Sequence, residues 1–196
     1  MKRLMPIAGL MLAIAFSNVA FAANPQAASS AQQKPTFAAV YDRLISNAEK
    51  EVVDAAEAMP EDKFNFAPTS PGDFKGVRTF AQQAKHIAAV NYMVGAALLG
   101  EKPPADINGE KGPDNVSSKA DVVKYLKDSF DYARKSVAGL DATTLLEQVK
   151  APFGDRPLSR LSLVTIMIYH PYDHYGQMVE YLRMNSIIPP ASRGGQ

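Results

Sequence analysis

The sequence predicts an all-α protein built as a four-helix bundle, and three observations carry that expectation. Apolar residues recur every three or four positions in four separate stretches of about twenty residues, the period of a helix with one buried face. Proline and glycine cluster between these stretches and not within most of them. No run alternates apolar and polar residues with the period of two that a half-buried strand needs.

The N-terminus reads as a signal peptide over residues 1–22. Lys2 and Arg3 form a basic start, Leu4 to Phe16 an apolar run, and Ala20-Phe21-Ala22 a small-x-small cleavage pattern. The apolar run is short for a membrane span, and the polar Ser17 and Asn18 follow it. The expected location is therefore periplasmic or secreted, with no membrane span after processing. Cleavage would remove Lys2 and Arg3 and no acid, so the 21 basic and 20 acidic residues become 19 and 20, a net charge of −1. That balance gives no electrostatic case for nucleic-acid binding. Zero cysteines exclude disulfides, thiolate ligands and cysteine nucleophiles. Residues 23–35, rich in Ala, Gln, Ser, Asn and Pro, read as a disordered tether. The bundle itself is expected over residues 36–190, with a disordered tail over 191–196.

The first helix is expected from near Thr36 to about Met59, with Phe37, Tyr41, Leu44, Ala48, Val52, Ala55 and Met59 on one stripe. Pro60 ends it, and a loop with a short turn at Glu61 to Phe64 follows. Thr79 and Gln82 have the spacing of a capping box, so the second helix starts there. It runs to about Leu99, with Gly100 placed to stop it. Its apolar face is Phe80, Ala84, Ile87, Val90, Val94 and Leu98, and His86 borders that face.

Residues Glu101 to Asn115 form a long aperiodic connection, of the kind that often serves as a lid or crossover. Ser118 and Asp121 mark the start of the third helix, with Val122, Leu126, Phe130, Ala133, Val137 and Leu140 buried and a charged face opposite. Asp141 is expected to cap a short helix through Gln148. The fourth helix runs from near Ser159 to near Asn185, with Leu163, Met167, His170, His174, Met178 and Tyr181 on one stripe. The long middle connections fit a crossover as well as an up-and-down path.

That fourth helix holds two of the three histidines. His170 and His174 stand at i and i+4, where two imidazoles lie on the same face and can share one metal ion. A buried imidazole needs partners for both ring nitrogens, and a shared metal satisfies one nitrogen of each ring at once. The bundle is expected to bring His86 to the pair, giving a three-histidine site with an open coordination position. Histidines simply packed in the core are the alternative. Pro171 should kink the helix modestly while leaving the pair intact. Asp173 and Gln177 flank the pair, and the acid is a candidate orienting group or general base or else a surface residue. Tyr92, Tyr169, Tyr172, Tyr175 and Tyr181 read mostly as packing, with room for one at the pocket. No catalytic residue is identified.

Two segments, AQQAKHIAAVNYMVGAALLGEKPP and HPYDHYGQMVEYLRMNSIIPP, together with the preceding EAMPEDKFNFAPTSPGDFKGVRTF, resemble the DinB/YfiT-like superfamily from about Phe37 to Pro190. The resemblance implies a four-helix bundle and a divalent metal ion held by His86, His170 and His174, with zinc, nickel and iron all chemically suited. It also implies a homodimer and an unknown small-molecule substrate. Among relatives with known chemistry are thiol-dependent S-transferases and a thiol-dependent maleylpyruvate isomerase. An ion with an open coordination position can lower the pKa of a bound water or polarise a substrate atom, so hydrolysis and thiol transfer both fit. A non-catalytic periplasmic bundle binding metal or a small ligand is the alternative. Pro171 stands where that family is expected to carry a polar residue. The leader also sets this chain apart from thiol-dependent relatives, which work in the cytosol.

Overall fold

The computed structural model describes residues 34–68 and 76–194. The expected signal peptide over 1–22 and nearly all of the expected tether over 23–35 lie outside the described residues. Four helices make up the fold: α1 (Phe37–Ala58), α2 (Phe80–Leu99), α3 (Lys119–Val137) and α4 (Arg160–Met184). Each begins at a hydroxyl cap. Thr36, Thr79, Ser118 and Ser159 each accept a backbone N–H from three residues on, a contact that contributes about 1 kcal/mol per helix. The Thr79–Gln82 capping box forms in both directions, at 2.9 and 3.2 Å. Gly100 ends α2 in the left-handed conformation (φ 69°).

The order around the bundle is α1, α3, α2, α4. Each helix packs on the next in that ring, α2 and α3 most extensively, while neither α1 with α2 nor α3 with α4 forms an extensive face. The links α1–α2 and α3–α4 therefore join diagonal helices, so the path is not a simple meander of neighbours. No helix among the described residues is long and apolar enough to cross a membrane.

Helix α2 is buried on nearly every side, including the polar Gln83, His86 and Asn91. Its small residues permit this. A Cβ on Gly95 would lie 2.8 and 2.9 Å from ring carbons of Tyr132, so glycine lets α3 approach the α2 backbone closely. The six residues expected on the α3 stripe are all buried. The α1 stripe is buried from Ala48 onward, whereas Tyr41 and Leu44 are partly covered and Phe37, in the first turn, is 44% exposed.

Two expectations are corrected. The short helix from Asp141 to Gln148 does not form. The Asp141 carboxylate instead accepts the N–H groups of Thr143 and Thr144 at 2.8 and 3.0 Å and closes a local turn. The chain then pairs as two short antiparallel strands, β1 (Gln148–Val149) and β2 (Leu158–Ser159). The carbonyls of Leu145 and Glu147 take the N–H groups of Leu161 and Arg160, two of the unpaired donors at the start of α4. The tail expected from residue 191 is also not wholly irregular, since Pro190–Ser192 form a 3-10 turn against α1. Helix α4 continues through the buried Pro171, which has no N–H to give to the Met167 carbonyl.

Candidate metal centre

Helices α2 and α4 pack face to face, and their histidines meet at that contact. Nε2 of His86 lies 3.1 Å from Nε2 of His170. The three rings stand nearly on edge to one another, with centroids 4.6 to 4.9 Å apart. One nitrogen from each lies within 4.8 Å of the other two. His86 and His174 are buried, and His170 is partly covered. Metal–nitrogen bonds of 2.0–2.1 Å place tetrahedral co-ligands about 3.3 Å apart, so the His86–His170 spacing suits a shared ion.

The groups around the triad set its chemistry. Nδ1 of His86 meets the Glu110 carbonyl at 2.6 Å. A carbonyl only accepts, so Nδ1 carries the proton and Nε2 presents its lone pair toward His170. The α2–α3 connection delivers this carbonyl. Gly112, at φ +71°, lies so close to α2 that a Cβ there would sit 3.1 Å from Cβ of Lys85. On α4, Gln177 approaches Nδ1 of His174 at 3.5 Å and is itself bonded to Gln83 at 2.7 Å. Nδ1 of His170 is buried with no partner.

All three imidazoles are held neutral. Burial pushes His170 down to about 3, helped by the repulsion its own proton would meet from protonated His174 or His86 and from Arg78. Burial likewise lowers His174 to about 4, with His86 and Arg78 adding to it and Asp173 opposing. Burial lowers His86 too, against the bond to Glu110. Neutral imidazole is the form that ligates metal. Converging lone pairs, neutral rings and a fixed outer hydrogen bond on His86 thus fit a divalent ion.

The other sequence candidates fall differently. Asp173 is exposed and makes no hydrogen bond to the triad among the described residues, though its charge reaches His174. Tyr92 is buried against Tyr125 and Tyr132, and Tyr169 and Tyr172 are exposed. Tyr181 packs in the core and donates to the Arg78 carbonyl at 3.1 Å. Two neighbours were not anticipated. Gln83 stands one turn before His86 on α2, a spacing visible in the sequence. The Glu110 carbonyl leaves no side-chain signal at all.

A sequence model of the DinB superfamily matches residues 44–178, which hold α2 and α3 whole, the greater part of α1 and α4, and all three histidines. The chain belongs to the DinB superfamily. Among solved structures, this DinB-superfamily chain is similar to a DinB-like protein from Bacillus cereus ATCC 10987. The two are 15% identical, with a TM-score of 0.61 over 76% of this chain and 93% of that one. A likeness at that identity shows the shared fold. No curated protein matches the sequence.

Proposed function

We propose that this DinB-superfamily chain is a metal-dependent hydrolase or transferase in which His86, His170 and His174 hold one divalent ion, zinc, nickel or iron. The observation that supports it best is the convergence of three neutral imidazoles from two helices, with donor atoms within 4.8 Å of one another. A structural site ordinarily takes four protein ligands, and three leave a position for substrate. When bound, the ion supplies Lewis acidity at that open position. The chain's own residues orient His86 through Glu110 and keep the rings unprotonated by burial.

A homodimer and export across a membrane complete the reading. The first rests on the family resemblance, the second on the leader-like residues 1–22. A second reading, a non-catalytic binder of metal or small ligand, is favoured by the absence of any carboxylate from the triad among the described residues.

The experiment is metal analysis of untagged protein, followed by turnover assays on esters, amides and thiol acceptors with metal removed and restored. One ion per chain and metal-dependent turnover support the enzyme. One ion and no turnover across the panel favour the binder. Failure to take up zinc, nickel or iron in excess overturns both.

A further inference from the structure

Beside the triad, a cleft of about 560 Å³ opens between the start of α2, the α2–α3 connection and α4. Gln83 and Gln177 line it, and Gln177 also meets His174, so this pair is shared between cleft and triad. The cleft's charged lining is Arg78, Lys85 and Lys111 against the single acid Asp114. Asp114 is exposed and already accepts from the Asn108 amide at 3.2 Å. Lys85 donates to the Pro113 carbonyl at 2.5 Å, which holds its ammonium at the wall of the cleft. The volume suits a small molecule.

We propose that this cleft binds the anionic end of the substrate, a carboxylate or phosphate group held by Arg78 and oriented by the Gln83 amide. The placement of that anion next to the reacting centre rests on the metal reading given above, whereas the grip on the anion does not. Arg78 is partly buried, and the Tyr181 hydroxyl pins its backbone carbonyl at 3.1 Å. Arg78 lines the cleft together with Gln83 and Gln177, the pair that adjoins His174. A guanidinium presents a planar fork that matches a carboxylate or phosphate with two parallel hydrogen bonds.

Gln83 supplies the second, independent observation. It is 2% exposed, and its Oε1 has no partner while its Nε2 bonds to Gln177 Oε1. An amide's nitrogen and oxygen are interchangeable in shape, so the hydrogen-bond network decides which faces where. With both amides turned, Gln177 Oε1 accepts the Nδ1 proton of His174 and Gln177 Nε2 donates to Gln83 Oε1. His174 then takes the same tautomer as His86, with Nε2 free for metal. The group left without a partner becomes the Gln83 NH2, a buried donor on a residue that lines the cleft, and an acceptor bound there would satisfy it. An anion is such an acceptor, and it also offsets the positive charge gathered at the site.

The test is calorimetric titration of zinc-loaded and metal-free untagged protein with succinate, with inorganic phosphate and with neutral succinamide. Succinate or phosphate is expected to bind and succinamide not, the preferred anion naming the substrate class. In Arg78→Met the anion affinity should drop at least tenfold, and Arg78→Lys should recover part of it. Zinc should remain at one per chain in both variants and be held no more weakly, which damage to the fold would not allow. Unchanged anion affinity in Arg78→Met, or no anion binding to the natural chain, overturns the proposal. Anion binding that depends on Arg78 in a chain that takes no zinc supports the anion site and removes the metal reading alone.

Discussion

Nε2 of His86 faces Nε2 of His170 across 3.1 Å, and the proton that neutral His86 carries is committed on its far side to the Glu110 carbonyl. Two things can occupy the space between those nitrogens favourably: a proton on His170, or a cation. A proton there satisfies one pair and leaves His174 out. A cation satisfies three rings.

His174→Ala removes one ligand and should cost more than about 100-fold in zinc affinity, beyond the loss usual for an outer-shell change. Helicity should hold, because the change opens a small gap at the α2–α4 contact and breaks no cap. Elemental analysis beside circular dichroism checks both. Undiminished zinc uptake by this variant would take His174 out of the site.

Gly112→Ala addresses Glu110, whose carbonyl no substitution can remove. A side chain at φ +71° costs about 1 kcal/mol in strain, and its Cβ would press on Lys85 at 3.1 Å. The connection must lift from α2 and take the Glu110 carbonyl with it. Zinc affinity should fall about 10- to 100-fold while the triad's own residues are untouched. Natural affinity in this variant would mean that the bond to His86 does not support metal binding.

The fold was legible where chemistry is local. Thr79 with Gln82 and Ser118 with Asp121 had the spacing of capping boxes, and four apolar stripes marked four helices, whereas the hydroxyl caps at Thr36 and Ser159 emerged only from the structure. His170 and His174 were paired by helical geometry alone. Asp141 misled because the same side chain that caps a helix also closes a free-standing turn, and the pairing of Leu158–Ser159 with Gln148–Val149 decided between them. The order of the helices around the bundle was not readable, since loops of such length reach diagonal and adjacent neighbours equally well. Glu110 acts through its backbone and Arg78 stands in the loop before α2, so neither left a periodic signature.

Gly95→Ala separates packing from metal binding. The added methyl would meet the Tyr132 ring at 2.8 Å, and a buried ring between two helices has little room to retreat. Overpacking of this kind costs about 1–3 kcal/mol. A lower Tm with unchanged zinc affinity is expected, because the Tyr132 contact lies more than two helical turns along α2 from His86. A fall in zinc affinity of comparable free energy would instead couple the two ends of α2.

Acid should loosen the metal-free protein in a defined window. Unfolded histidine titrates near pH 6.5, whereas burial holds His170 down to about 3 and His174 down to about 4 in the folded chain. Between those limits the unfolded chain binds more protons than the folded one, so stability rises with pH there. The contribution is complete above about pH 6.5 and is lost progressively as pH falls toward the folded values. Bound zinc should add stability at neutral pH and release it over the same descent, because ligation requires the neutral ring. Denaturant midpoints measured from pH 7.5 to 4, with and without zinc, should therefore converge at the acid end. Replacement of His170 by Gln should flatten the metal-free profile, since it removes the ring held furthest from its unfolded value. A metal-free profile of equal slope in that variant would show that the acid sensitivity belongs to other groups.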